Sequence, residues 1–271
     1  MEQVKRVASA LIILPPLVLF LLYASPGLFL ILVLALIGLS LREYIRVLQH
    51  VQLALYTNVT VLTAAVLAIT AYLGDWRWLS LALFLSVMAL TIRGVVAASQ
   101  GPPILPTLVY SVFGVLFIGW TLSHLMLLRR LPAGEGYVLF LCAIVWVGDS
   151  VAMYVGKSLG RHKMTPAISP GKTWEGAISG AVGSVLTAVL SAGLWLPQLV
   201  LWQCVMLGLG VALAAQMSDL GESVLKRYAG VKDSGRLIPG HGGILDRIDS
   251  MLFAAPTLVY ALHVLLPVPS P

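Results

Sequence analysis

Between Ser223 and Asp249 the chain reads S-V-L-K-R-Y-A-G-V-K-D-S-G-R-L-I-P-G-H-G-G-I-L-D-R-I-D. Lys226, Arg227, Lys232, Asp233, Arg236, His241, Asp246, Arg247 and Asp249 thus share one segment of an otherwise apolar protein. An ionised side chain in hydrocarbon costs roughly 2.5–3.5 kcal/mol on insertion scales, so such groups persist only where they are paired, wetted or working. Cations and backbone amides suit phosphates, and carboxylates suit a divalent metal that those phosphates share. The segment points to phosphoryl or nucleotidyl transfer at a membrane surface.

The spacing sharpens this. Asp219, Glu222, Ser223 and Lys226 stand at i, i+3, i+4 and i+7, so a continuing helix puts all four on one face. Glu222 is equally explained as a helix end solvating itself, whereas Asp219 lies where apolar sequence turns polar. Downstream, Pro239 and the glycines Gly240, Gly242 and Gly243 make a tight turn before the last apolar run. Successive amides ahead of a helix N-terminus form an anion-binding concavity, which assigns Gly242 and Gly243 to a phosphate. Asp246 and Asp249 are three apart on the first turns of that helix and can face one site. The helix macrodipole favours one acid there by roughly 0.3–1 kcal/mol. It does not account for two beside Arg247.

Two upstream segments carry polar groups. In S-P-G-K-T-W-E-G, from Ser169 to Gly176, the position a P-loop needs as glycine is Pro166. No strand is expected before it, so Lys172 is a candidate phosphate ligand as a point charge and Ser169 opens a turn. Glu175 is read as a site residue or as a cap of the helix that follows. Asp149 sits beside Gly148 at the end of an apolar span with Met153, not a cation, at i+4, and an unpaired intramembrane acid is functional by default. His241 is either a phosphate-contacting donor or a general acid–base; a phosphate nucleophile hardly needs the latter.

These groups must be positioned by membrane helices. Of the 271 residues, 59% are hydrophobic and 10% charged, against about 25% charged in a soluble domain. Nine candidate spans approach the ~20 residues needed to cross: Val7–Ala24, Gly27–Leu41, Leu53–Leu73, Trp78–Val96, Leu105–Leu127, Tyr137–Val155, Glu175–Leu196, Leu199–Met217 and Ile244–Leu266. The expected fold is an all-α polytopic integral membrane protein of about nine transmembrane helices. The first span reads as an uncleaved helix rather than a signal peptide, because a second follows at once. Arg42, Glu43 and Arg46 read as an interfacial anchor. The break at Gly101-Pro102-Pro103 suggests residues 1–104 as an N-terminal helical scaffold and 105–271 as a C-terminal catalytic region.

The net charge of +6 follows topology, not nucleic acid. With the N-terminus inside and nine alternating spans, fourteen of the seventeen Lys and Arg residues fall on the cytoplasmic side and only Arg77, Arg129 and Arg130 outside. That satisfies the positive-inside rule and puts all three polar segments on one cytoplasmic face. The pairs Gly156/Gly160 and Gly176/Gly180 align small residues on helix faces, for close packing or for backbone approach to a ligand. Cys142 and Cys204 read as buried apolar side chains without metal or disulfide spacing.

The run from Ser223 resembles the motif of the phosphatidate cytidylyltransferase (CDP-diacylglycerol synthase) family, S-x-x-K-R-x4-K-D-x-[small]-x2-[apolar]-P-x-H-G-G-x-x-D-R-x-D. Ser223, Lys226, Arg227, Lys232, Asp233, Gly235, Ile238, Pro239, His241, Gly242, Gly243, Asp246, Arg247 and Asp249 fill every fixed position. D-S-V-A-M-Y-V-G-K-S-L-G-R-H-K from Asp149 and the Ser169–Gly176 segment are also similar to the family. The resemblance implies transfer of the cytidylyl group of CTP to phosphatidic acid, giving CDP-diacylglycerol and pyrophosphate, in a bacterial-type inner membrane. It implies Asp219, Asp246, Lys226 and Arg247 as catalytic residues. Ser169, Lys172, Ser223, Arg227, Lys232, His241, Gly242 and Gly243 would bind substrate. Mg²⁺ would sit on Asp219 and Asp246 with Asp249 or Asp149, the need for a second cation being left open. The implied assembly is a homodimer embedded in lipid, with no nucleic acid partner. Two other readings stand: a CTP-dependent lipid kinase of the polyprenol kinase type, and an ion-coupled transporter using Asp149 and Asp219.

Overall fold

The structure, a computed structural model, describes residues 15–98, 103–235, 237 and 242–265. It is helical almost throughout. Helix α1 occupies 15–23 of the described residues, followed by α2 (Pro26–Gln49), α3 (Thr57–Leu73) and α4 (Trp76–Ala97). Next come α5 (Ile104–Gly114), a π-helical turn (Val115–Trp120), α6 (Thr121–Arg130) and α7 (Gly134–Ser158). A hairpin of β1 (Lys163–Thr165) and β2 (Ser169–Thr173) leads into α8 (Trp174–Trp195), α9 (Leu201–Tyr228) and α10 (Leu245–Leu265).

Local chemistry starts these helices where they start. Ser25 Oγ accepts from Leu28 N at 3.3 Å ahead of Pro26, and Asp75 Oδ1 accepts from Arg77 N at 2.8 Å. Both satisfy amides that a helix N-terminus leaves unpaired. Among the described residues seven helical spans are long and apolar enough to cross a membrane, α5 to α6 counting as one span of 27 residues. The 17-residue α3 is shorter. These eight match the last eight expected segments; the first, Val7–Ala24, lies partly outside the described residues. The span expected to stop at Leu41 continues as α2 to Gln49, because Glu43 and Tyr44 are buried rather than wetted.

The chain divides into two compact units, Met1–Arg130 with Tyr228–Arg247, and Leu131–Arg227 with Ile248–Pro271. The segment after α9 joins the N-terminal helices in the first unit. In the first unit, Tyr44 is fully buried and its hydroxyl donates to the Tyr110 carbonyl at 2.8 Å. Arg129, 9% exposed, donates to the carbonyls of Leu21 at 3.1 Å and Ala24 at 2.6 Å, closing the last turn of α1.

In the second unit α7 packs on α8 through glycines. A Cβ on Gly180 would lie 2.9 Å from the Gly148 carbonyl, and one on Gly176 would lie 2.7 Å from that of Ala152. Side chains are excluded there by backbone, so of the two readings of these glycines helix packing is what the structure displays. The hairpin was not expected from sequence. It is antiparallel, with Lys163 opposite Thr173 and Thr165 opposite Ser169. Thr173 ends β2 and caps α8, its Oγ1 accepting from Gly176 N at 3.2 Å. Cys142 and Cys204 are free and buried, as expected.

Candidate functional site

The second unit gathers four carboxylates and two amines. Lys172, half-buried on β2, reaches Asp219 near the end of α9, with Nζ 2.8 Å from Oδ2. Ser223 Oγ lies one helical turn on, 3.5 Å from Asp219 Oδ1, the outer limit of a hydrogen bond. Glu222, fully buried, pairs with Lys226 at i+4. This defines Glu222 as half of a buried ion pair. Asp149 on α7 is hydrogen-bonded to the Ser250 side chain and lies within electrostatic range of Asp219 and Lys172. Asp249 feels the charges of Asp219, Asp149 and Lys226. Its own Oδ1 accepts from Ser250 N at 2.7 Å, and its carbonyl accepts from the buried Ser218 hydroxyl, which ties α10 to α9.

The hairpin is held where it can present Lys172. Arg227 Nε donates to the Ile168 carbonyl at the hairpin turn at 2.9 Å. Glu175, in the first turn of α8, takes its own backbone amide as well as His162 N at 3.2 Å and His162 Nδ1 at 2.6 Å, stapling the start of the hairpin to that turn. Ser169, at the start of β2, is half-buried. The hairpin is thus anchored at its turn and at its start by side chains from α9 and α8.

In the first unit the glycine segment is arranged around two carboxylates. Asp246 Oδ2 accepts from Ser234 N at 2.9 Å, Ser234 Oγ at 2.9 Å and Gly243 N at 2.7 Å. Glu43, reaching across from α2, accepts from Ile244 N at 3.0 Å through Oε1 and from Leu245 N at 2.8 Å through Oε2. The Gly243 amide and the two that follow it are therefore taken by the chain's own acids. Gly242 takes φ +80°, and a Cβ there would sit 2.8 Å from Asp246 Oδ2, so glycine is required twice over. Lys232 and Arg247 are exposed. His241 and Arg236 lie outside the described residues.

Glu43 was read from sequence as an interfacial anchor; it is instead 4% exposed with both oxygens engaged. Its nearness to Arg42 and Arg46 supplied a sufficient local explanation. The missed signal was an acid inside an apolar helix, which membrane proteins keep for a purpose.

Among the described residues no group of three or more His, Cys, Asp or Glu side chains forms a ready-made metal cage. The donor set of the second unit nevertheless suits a hard divalent ion. Asp149, Asp219 and Asp249 offer only oxygen, and Mg²⁺ is ordinarily held by one or two carboxylates completed by waters and substrate phosphates.

An assembly of paired acids and bases on apolar helices separates this chain from ordinary membrane scaffolds, and comparison with known proteins decides its family. The cytidylyltransferase family model matches residues 4–265. The chain belongs to that family. The chain is similar to the phosphatidate cytidylyltransferase of Bacillus subtilis (strain 168), 41% identical over 157 residues, 56% of this chain and 57% of that one. The phosphatidate cytidylyltransferase of Brucella abortus biovar 1 is 43% identical over 150 residues, 54% of each chain. That of Synechocystis sp. is 46% identical over 142 residues, 52% of this chain and 47% of the other. The chain spans about half the length of the curated relatives it matches.

Proposed function

We propose that this protein transfers the cytidylyl group of CTP to phosphatidic acid, forming CDP-diacylglycerol and releasing pyrophosphate. The observation that carries the proposal is the cluster of Asp149, Asp219 and Asp249 with Lys172 and Lys226, since two polyanions must be brought together for this reaction. A phosphate oxygen of the lipid attacks the α-phosphorus of CTP, the bond to the β-phosphate oxygen breaks, and pyrophosphate leaves with the electron pair. Lys172, held 2.8 Å from Asp219, is placed to pass from that carboxylate to an incoming phosphate. Lys226, Arg227, Lys232 and Arg247 would screen the remaining negative charge, and Ser169 and Ser223 would donate to phosphate oxygens. Mg²⁺ held by Asp219 and Asp249, with Asp149 alongside, would neutralise charge on the triphosphate and favour in-line displacement. Asp246 belongs to this reading as an acid on the same face of α10 as Asp249.

Metal dependence is the first expected consequence. Purified protein given CTP, phosphatidic acid and Mg²⁺ should form a cytidylylated lipid. EDTA should abolish its formation, Mg²⁺ should restore it, and Ca²⁺, larger and looser in geometry, should support little. Undiminished turnover in chelator would overturn the metal-bridged reading, and release of CDP in place of pyrophosphate would favour a lipid kinase.

The charge distribution supports an orientation with the N-terminus and the polar segments facing the cytoplasm, and the family resemblance implies an inner-membrane homodimer. In a variant lacking Cys142 and Cys204, a membrane-impermeant thiol reagent applied to intact cells should label Arg77→Cys and spare Lys157→Cys. Both positions are exposed. The reverse pattern would invert the topology.

A further inference from the structure

Glu43 is separated from Ser234 by 191 residues and from Leu245 by 202, yet its carboxylate is spent entirely on that distant segment. Its oxygens accept from Ile244 N at 3.0 Å and Leu245 N at 2.8 Å, and Oε2 lies 3.1 Å from Ser234 Oγ. We propose that Glu43 is a positioning residue, capping α10 from α2 and so fixing the segment that carries Asp246 and Arg247.

Three features support this. The first amides of a helix have no intrahelical partner, and α10 opens with no side chain of the usual N-cap types at Gly243 or Ile244. A carboxylate at that end also meets the positive pole of the helix. Next, the surrounding residues are cut to its shape. A Cβ on Gly235 would lie 2.5 Å from Glu43 Oε1, and one on Gly243 would run into Glu43 Oε2 and Ser234 Oγ. These two glycines make room for an internal acid. Finally, Ser234 joins the two carboxylates, its hydroxyl lying within 3.1 Å of Glu43 Oε2 and 2.9 Å of Asp246 Oδ2. Asp246 secures the segment through Ser234 N and Gly243 N, and Glu43 through the next two amides. Glutamine could replace only part of this, because it offers one oxygen and turns its NH2 group toward a donor.

The inference rests on the cytidylyl-transfer reading for its effect on rate, but the capping contact is tested without it. Full-length wild type, Glu43→Gln, Glu43→Asp and Leu48→Ala are compared in lipid nanodiscs by amide exchange and by steady-state rate with varied CTP. In Glu43→Gln, exchange at Ile244 and Leu245 is expected to accelerate at least tenfold, while the amides of α2 stay within twofold. Its kcat should fall at least tenfold with KM for CTP within threefold, because Glu43 touches the segment and not the nucleotide. Glu43→Asp, which keeps the charge on a shorter arm, should recover part of that loss. Leu48→Ala, a cavity in the same helix, should lower the melting temperature and leave the kcat of folded protein within twofold. Exchange at Ile244 and Leu245 within twofold of wild type in Glu43→Gln would overturn the proposal. So would accelerated exchange with unchanged kcat. If Glu43→Gln does not fold, the same two readouts on Glu43→Asp decide, with exchange at the two amides expected to rise at least threefold and a rise under twofold counting against it. A wild type that makes no cytidylylated lipid would overturn the reaction assigned above, and the exchange comparison would still support or refute the cap.

Discussion

Asp219→Asn is expected to lower kcat by two or more orders of magnitude while the protein stays folded. That loss corresponds to at least ~2.7 kcal/mol of transition-state stabilisation. The amide matches the carboxylate in size, and the position is partly exposed, with the Asp219 side chain 32% accessible. What disappears is the charge paired with Lys172 and shared with Asp249. Freed from its partner, Lys172 is a better ligand for phosphate, so KM for CTP should hold steady or fall as kcat collapses. A split of that kind separates a role in the transition state from one in ground-state binding. Rates at saturating Mg²⁺ with varied CTP, beside thermal unfolding, make the measurement. Retention of more than about a tenth of the wild-type rate, a loss under roughly 1.4 kcal/mol, would remove Asp219 from the reacting centre.

Asp246→Asn and Glu222→Gln should fail in different ways. Asp246 accepts two amides and a hydroxyl at Oδ2, and an asparagine can keep only some of these, so both its charge and its hold on the segment weaken. A loss of two or more orders of magnitude in turnover is expected, at least ~2.7 kcal/mol, with unfolding little changed because the site lies at the end of a helix. If Asp246 were only a helix cap, the loss would be small and confined to stability. Glu222→Gln instead breaks the buried pair with Lys226. Removing one partner of such a pair costs about 3–5 kcal/mol, so the melting temperature should fall markedly. Turnover per folded molecule should suffer far less than in Asp246→Asn. Equal losses of rate in the two variants would contradict this division of roles.

Much of this arrangement was legible in the sequence because the bilayer forces it to be. Runs of apolar residues near the length of a span can do little else, so α2 to α10 fall where hydropathy places them. The i, i+3, i+4, i+7 spacing from Asp219 to Lys226 likewise survives as one face of α9. Three features were hidden, each because it depends on contacts distant in sequence. Glu43 looked like a surface anchor, since its true partners lie beyond residue 230. The hairpin ahead of α8 rests on pairing across Lys163 and Thr173 and on the grip of Arg227 and Glu175, not on alternating hydrophobicity. Glu175 was weighed as a cap or a site residue, and its hold on His162, thirteen residues earlier, was not visible. The amides of Gly243, Ile244 and Leu245 show the same limit. The sequence suggests an anion-binding turn there, but not that the acceptors of these amides are Asp246 and Glu43.

The most direct test is to follow two phosphorus labels through one reaction. Purified protein receives phosphatidic acid, Mg²⁺ and CTP labelled either at the α- or at the γ-phosphate, and the lipid and aqueous products are separated. Attack at the α-phosphorus carries the α-label into the lipid and sends the γ-label into the water phase as pyrophosphate, in equal amounts and with the same loss in Asp219→Asn. Appearance of the γ-label in the lipid, or consumption of neither label, would contradict the account.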